Sequence, residues 1–139
     1  MLKYHQWQNY LPALTTIISI FFIFRYFVND VIYYFGVLLV VVGLTFWWLG
    51  KITLSDAFGI LPAPKKLITH GIYSKFRNPI YIGLSLTVIG WSFLIRNKWV
   101  FIFAFFIVVS SVVRAYLEDK ELMRKFGELY KEYKKRTWF

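Results

Sequence analysis

A chain of 139 residues that is 58% apolar and 22% aromatic is too greasy for an ordinary water-soluble domain, because its long uninterrupted apolar runs would face water. Its formal charge of +10 raises nucleic acid as a partner, but the cations lie between and after apolar runs and no soluble basic domain carries them. The absence of cysteine excludes a disulfide framework, thiolate metal ligation and cysteine nucleophiles.

Four apolar runs follow in chain order: Pro12–Val28, Val31–Gly50, Ile80–Ile95 and Trp99–Leu117. Each is near the ~17–25 residues that a spanning helix requires, so the expected fold is all-α, a polytopic membrane protein in a single domain. No basic region precedes the first run and no small-residue cleavage pattern follows it, which reads as a retained helix. Asn29-Asp30 leaves room only for a tight antiparallel hairpin between the first two helices. Gly36, Gly43 and Gly50 recur at a seven-residue step, which drifts by only ~20° around a helix. They form one small-residue stripe that admits another helix backbone, and Gly83 with Gly90 gives the third helix a similar face. Gly83 also stands one turn from a polar island and is singled out for a role beyond packing. The third run is short and calls for tilt or a locally thinned bilayer.

That polar island, residues 65–79, interrupts the greasy sequence with glycine, proline and charge. Asn78 before Pro79 reads as an N-cap followed by the first helical position, where proline's missing N–H costs nothing. A second island follows Leu117 and carries Glu118, Asp119, Glu121, Glu128 and Glu132, out of seven acids in the chain. There Leu122, Phe126, Leu129, Tyr130 and Tyr133 keep one face of an amphipathic helix over residues 118–136. It packs on the membrane part or lies in the interface. Gly127 inside that helix costs about 1 kcal/mol relative to alanine, so a packing or binding reason is expected. Lys51, Lys65, Lys66, Lys75 and Arg77 share one side of the membrane with Lys120, Arg124, Lys125, Lys131, Lys134, Lys135 and Arg136. The positive-inside rule makes that side, and both termini, cytoplasmic; Arg96 and Lys98 oppose it but are outnumbered.

Metalloprotease, Walker and dinucleotide motifs are absent, and His5 and His70 are too few for a metal site. What remains is Arg77, Arg114, Lys65 and Lys66 as cations, Glu118, Asp119 and Glu121 as carboxylates, Tyr73 and Tyr81 as phenols, and an adaptable backbone at Gly71. Such a set suits binding a charged small molecule and orienting a transfer. Arg114 and Glu118, four apart, can lie on one helix face, and an ionisable residue at that depth is a functional candidate. A small transporter needs an intramembrane carboxylate that the first three helices lack. A non-catalytic scaffold stays open, and cofactor binding separates it from an enzyme.

The segment Leu67-Ile68-Thr69-x-Gly71-x-Tyr73-x-x-x-Arg77-Asn78-Pro79-x-Tyr81-x-Gly83, with Arg114-x-x-x-Glu118-Asp119-x-x-Leu122-x-x-x-Phe126-Gly127-x-x-Tyr130-x-x-Tyr133-Lys134-Lys135-Arg136, resembles the isoprenylcysteine carboxyl methyltransferase family. The same signatures resemble the phospholipid N-methyltransferases. Asn78 stands where the family pattern has His, Asp119 where it has a second Glu, and Lys65 where eukaryotic members often have His. The resemblance implies a multi-pass methyltransferase that binds S-adenosylmethionine in a cytosol-facing pocket, through Lys65, His70, Gly71, Tyr73, Arg77, Asn78, Pro79, Tyr81 and Glu118. Arg114, Glu118 and Asp119 then serve the transfer site. The implied acceptor is lipophilic and drawn from the membrane: a prenylcysteine-type carboxylate oriented by Arg114, or a phospholipid amine whose proton passes to Glu118 or Asp119. Neither nucleic acid nor metal is an expected partner. The sulfonium of such a donor is already activated, so alignment within about 3–3.5 Å and exclusion of water are the main tasks left to the protein.

Overall fold

The computed structural model describes residues 3–57 and 67–138, with side chains from Tyr10 to Leu54 and from Leu67 to Trp138. Among the described residues five helices are formed: α1 (Lys3–Arg25), α2 (Val31–Ala57), α3 (Pro79–Ile95), α4 (Lys98–Phe126) and α5 (Glu128–Arg136), with a 3₁₀ turn over Gly71–Ser74 between α2 and α3. α1 starts ahead of Pro12 and holds it in its interior. α2 runs past Gly50 to Ala57.

The expected amphipathic helix over 118–136 is two pieces. Its first part continues the apolar α4, and the chain breaks at Gly127, whose φ of 50° and ψ of −123° are closed to residues with a side chain. The glycine that looked like a tolerated helix interior is therefore the corner between α4 and α5.

Consecutive helices run antiparallel. Trp48 Nε1 donates to Thr16 Oγ1 at 3.0 Å and the Tyr33 hydroxyl to the Ile23 carbonyl at 2.8 Å, which fixes α1 on α2. Trp91 Nε1 donates to Ser19 Oγ at 3.0 Å, which fixes α1 on α3. Indole and phenol donors in an apolar setting need such partners.

The α2–α3 seam is nearly backbone on backbone. A Cβ added to Gly43 would lie 2.7 Å from the Gly83 carbonyl, and one added to Gly83 would lie 2.6 Å from the Gly43 carbonyl. Gly36 meets Gly90 and Phe93 toward one end, and Gly50 meets Pro79 and Ile80 toward the other. The stripe is thus filled by a matching stripe, as close helix contact in lipid demands. Gly83 is fully engaged in that seam, so packing accounts for it. α4 lies on α3, with Phe101 edge-on to Phe93 at 5.6 Å, and its buried residues Ala104, Ser111 and Ala115 are all small.

Among the described residues two helices, Val31–Leu54 and Lys98–Phe126, are long and apolar enough to cross a membrane, with Tyr10–Arg25 and Pro79–Ile95 as shorter apolar companions. Only 22% and 17% of the two long spans is buried inside the protein. Soluble core helices are covered by protein, whereas Phe21, Phe24, Phe103, Phe105, Phe106 and Val112 stand at least half exposed here. Lipid is the solvent those faces fit.

At one end of the bundle the connections are short. Asp30 Oδ1 accepts from the Tyr33 N–H at 2.7 Å and starts α2, and both its oxygens accept from Arg96 Nη2 at 2.5 Å. Arg96 ends α3 in a left-handed conformation, φ 55°, a position usually given to glycine. Its guanidinium is what the position supplies. Asn97 then caps α4 by accepting from the Trp99 N–H at 2.9 Å.

Candidate active site

The opposite end gathers the polar islands. Gly71, with φ 59°, tucks the chain so close to α2 that a Cβ there would stand 2.9 Å from Thr53 Oγ1. Ser74 Oγ donates back to the Gly71 carbonyl at 2.8 Å, and the Phe76 ring meets Phe46 edge-on at 5.0 Å. These contacts lay Tyr73–Arg77 across the end of α2 and aim it at α4 and α5. Asn78 occupies the N-cap of α3 as expected, but its side chain caps nothing; Pro79 fills the first helical position and packs on Gly50.

Two constellations share this end. In the first, the Tyr81 hydroxyl on α3 donates to Glu118 Oε1 on α4 at 2.5 Å, with Arg114 acting on the same phenol from one turn earlier. Ion pairs among the described residues do not join Arg114 to Glu118, although their spacing allows one. Tyr73 lies beside them: burial first, then the Glu118 carboxylate, pushes its phenol well above the ordinary value.

The second constellation centres on Asp119. Its Oδ1 accepts a short hydrogen bond from the Tyr130 hydroxyl and stands 3.7 Å from Arg77 Nε, while Oδ2 is 3.1 Å from Lys134 Nζ. The Asp119 and Arg77 side chains are 17% and 14% exposed, so both charges are largely removed from water. Arg77 Nη1 reaches the Lys134 carbonyl at 3.4 Å and Thr137 Oγ1 at 3.5 Å. Its Nε is buried and has no hydrogen-bond partner among the described residues. Tyr133 donates to the Tyr73 carbonyl at 2.6 Å, and burial raises its phenol to about 12. Tyr130 is fully buried and its phenol is likewise raised, by burial and then by its bond to Asp119.

Among the site residues expected from the sequence, Tyr73, Arg77, Tyr81, Arg114, Glu118 and Asp119 come together at this end. Gly71 and Pro79 shape its backbone. His70 is exposed at the edge of the 3₁₀ turn with no side-chain cap bond, and Lys65 lies outside the described residues. Tyr130, Tyr133 and Lys134 were read as part of an amphipathic helix and of the second family motif but not as site residues, yet they contact Asp119 and the Tyr73 carbonyl directly. Two grooves flank α5: one of about 700 Å³ between Tyr116, Lys120 and Lys134, and one of about 440 Å³ between Thr69, Ser74 and Tyr133. Neither includes Tyr81 or Glu118, so the paired side chains locate the chemistry better than the grooves do. Among the described residues no cluster of three metal-ligating side chains exists.

A multi-pass helical membrane protein with cation, carboxylate and phenols converging at one end of its bundle is the class that fold and site define. The phospholipid methyltransferase family model matches residues 24–129, most of the chain, and the chain belongs to that family. It is an integral membrane methyltransferase that uses S-adenosylmethionine. The match begins near the end of α1 and takes in α2, so the family pattern reaches further toward the N-terminus than the motifs at 67–136. No curated protein and no solved structure gives a significant match.

The residues fit the donor. Arg77 brings a guanidinium whose Nε makes no hydrogen bond among the described residues, although Asp119 Oδ1 stands 3.7 Å from it, and Tyr73 and Tyr81 bring aromatic rings to the same end, a set whose charge and surface suit an amino-acid carboxylate and a nucleoside.

Proposed function

We propose that the enzyme methylates the amine of a zwitterionic phospholipid headgroup, which reaches Glu118 and Arg114 sideways from the membrane. One observation carries this: Arg114 and Glu118 sit one turn apart on α4, exposed, and are not paired with each other. A phosphate and an ammonium on one headgroup match that cation and that anion. Arg114 orients the phosphate. Glu118 accepts the proton that the ammonium must lose before its nitrogen has a lone pair, and the Tyr81 hydroxyl holds the carboxylate in place for that transfer. Arg77 and the backbone around Gly71 hold the donor's amino-acid end, with Tyr73 against its nucleoside. When bound, S-adenosylmethionine supplies an activated methyl group on a sulfonium, so no residue of this chain has to become a nucleophile.

Orientation supports the same reading. Lys75, Arg77, Lys120, Arg124 and the cations of α5 stand at the site end, against Arg25, Arg96 and Lys98 at the other. The positive-inside rule turns the site to the cytoplasm, where the soluble donor is found. The test is transfer of labelled methyl from S-adenosylmethionine by the protein in nanodiscs, with phosphatidylethanolamine or a farnesyl-cysteine analogue as acceptor. Label in the phospholipid that disappears in Glu118→Gln supports the proposal. Label only in the prenylcysteine ester overturns it and assigns Arg114 to a carboxylate.

A further inference from the structure

We infer that Asp119 is a positioning residue, which clasps the segment Tyr130–Trp138 over the donor site and holds Arg77 in its receiving pose. The inference rests on Arg77 as the donor-binding cation. Glu118 and Asp119 are neighbours on a helix, where successive side chains diverge by about 100°. They cannot serve one point, and they do not: Glu118 turns to Tyr81 on α3, whereas Asp119 turns to α5.

Both Asp119 oxygens are engaged, Oδ1 by Tyr130 and Arg77, Oδ2 by Lys134. A carboxylate so occupied is a poor proton acceptor for a substrate and a good rivet. Its partners on α5 are themselves tied to the polar island, because Tyr133 donates to the Tyr73 carbonyl and the Trp138 N–H to the Lys75 carbonyl at 2.8 Å. All the α5 partners, from Tyr130 onward, lie beyond residue 129, where the family match ends. The backbone corner that lets α5 fold back is Gly127, whose missing Cβ would meet nothing within 4 Å. Space does not require glycine there; the positive φ does.

With the clasp intact, Arg77 is screened from water and its guanidinium is fixed between Asp119 Oδ1 at 3.7 Å and the Lys134 and Thr137 oxygens, a set pose from which to meet the donor's carboxylate. Loss of the Asp119 charge frees α5 and lets the guanidinium collapse or rehydrate. Donor capture then weakens while the reacting groups on α3 and α4 stay in place.

The experiment compares wild type, Asp119→Asn, Asp119→Glu and Tyr130→Phe as full-length protein in nanodiscs, with KM for S-adenosylmethionine and kcat measured separately and donor binding followed by calorimetry. Asp119→Asn is expected to raise the donor KM about 10-fold and to leave kcat at saturating donor within about 3-fold; Tyr130→Phe raises KM by about 3-fold. Asp119→Glu restores most of the loss, which a general packing defect would not. A fall in kcat with KM unchanged overturns the inference and returns Asp119 to the reacting centre. Should Asp119→Asn fail to fold, Tyr130→Phe decides: an unchanged KM overturns the clasp. Arg77→Ala separates the two layers. If it leaves donor binding intact, the donor assignment itself fails; if it weakens binding while the clasp variants do not, the clasp alone fails.

Discussion

The two ends of this bundle solve opposite problems. At the turn end, Asp30, Arg96 and Asn97 spend their polar groups on one another and on nearby helix starts. At the site end, the chain supplies Gly71 and Gly127 at positive φ and a buried Arg77 Nε that makes no hydrogen bond among the described residues, with only the Asp119 charge 3.7 Å away. Satisfied polar groups close a structure, whereas an unsatisfied one held in place marks where something else binds. The comparison teaches that charge alone does not identify a site in this fold; an incomplete charge does.

Glu118→Gln breaks the comparison hardest. It should cut kcat by about 10²–10⁴-fold while leaving donor affinity near wild type, measured by methyl transfer and calorimetry. Arg96→Ala, at the other end, should leave both unchanged.

Next in size is the seam that joins the ends. Gly83→Leu places a side chain where even a Cβ lies 2.6 Å from the Gly43 carbonyl, and should lower stability by about 1–3 kcal/mol, read from unfolding in detergent. Substitution at an exposed lipid-facing position such as Phe105→Leu is the control.

Smaller effects come from pH, and the ends should respond in opposite directions. Asp30 is held below its ordinary 3.8, by Arg96 first and by the Tyr33 N–H second. Its contribution is present above that ordinary value and is lost as pH falls through the depressed one. Tyr133 is raised from 10.0 to about 12, so the neutral phenol's contribution is complete below pH 10 and lost as pH rises through about 12. Thermal unfolding of Asp30→Asn should lose the acid limb, and of Tyr133→Phe the alkaline limb. A shared limb for both variants would show that the ends are not independent. The smallest effect is that of Lys131→Ala on α5, whose exposed pair with Glu128 is worth about 0–1 kcal/mol and should leave KM untouched.

Much of the architecture was legible in the sequence because lipid enforces it. Four apolar runs became four helices, and the seven-residue glycine step became the α2–α3 seam. Gly83 was singled out because it stands one turn from the polar island; its contact with Gly43 is tertiary and gives it a packing role that its place in the sequence did not show. Gly127 was hidden for a different reason. The apolar periodicity of Leu122, Phe126, Tyr130 and Tyr133 runs on across the corner, so the pattern carried no sign of a break.

The site divided in the same way. Tyr73, Arg77, Tyr81 and Glu118 were found through spaced motifs. The split of Glu118 from Asp119 depends on which neighbouring helix each one faces, and adjacent letters in a sequence say nothing of that. Spacing put Arg114 and Glu118 on one helix face, but the carboxylate's partner is Tyr81, from another helix.

The glycine seam also limits how this enzyme can move. Helices that meet through side chains can slide by exchanging rotamers, but at Gly43 and Gly83 α2 and α3 meet through main-chain atoms, which have no rotamers to exchange. They behave as a single plank. Helix α4 meets that plank through side chains, and α5 meets α4 in the same way, so rearrangement at the site costs least in the C-terminal third of the chain.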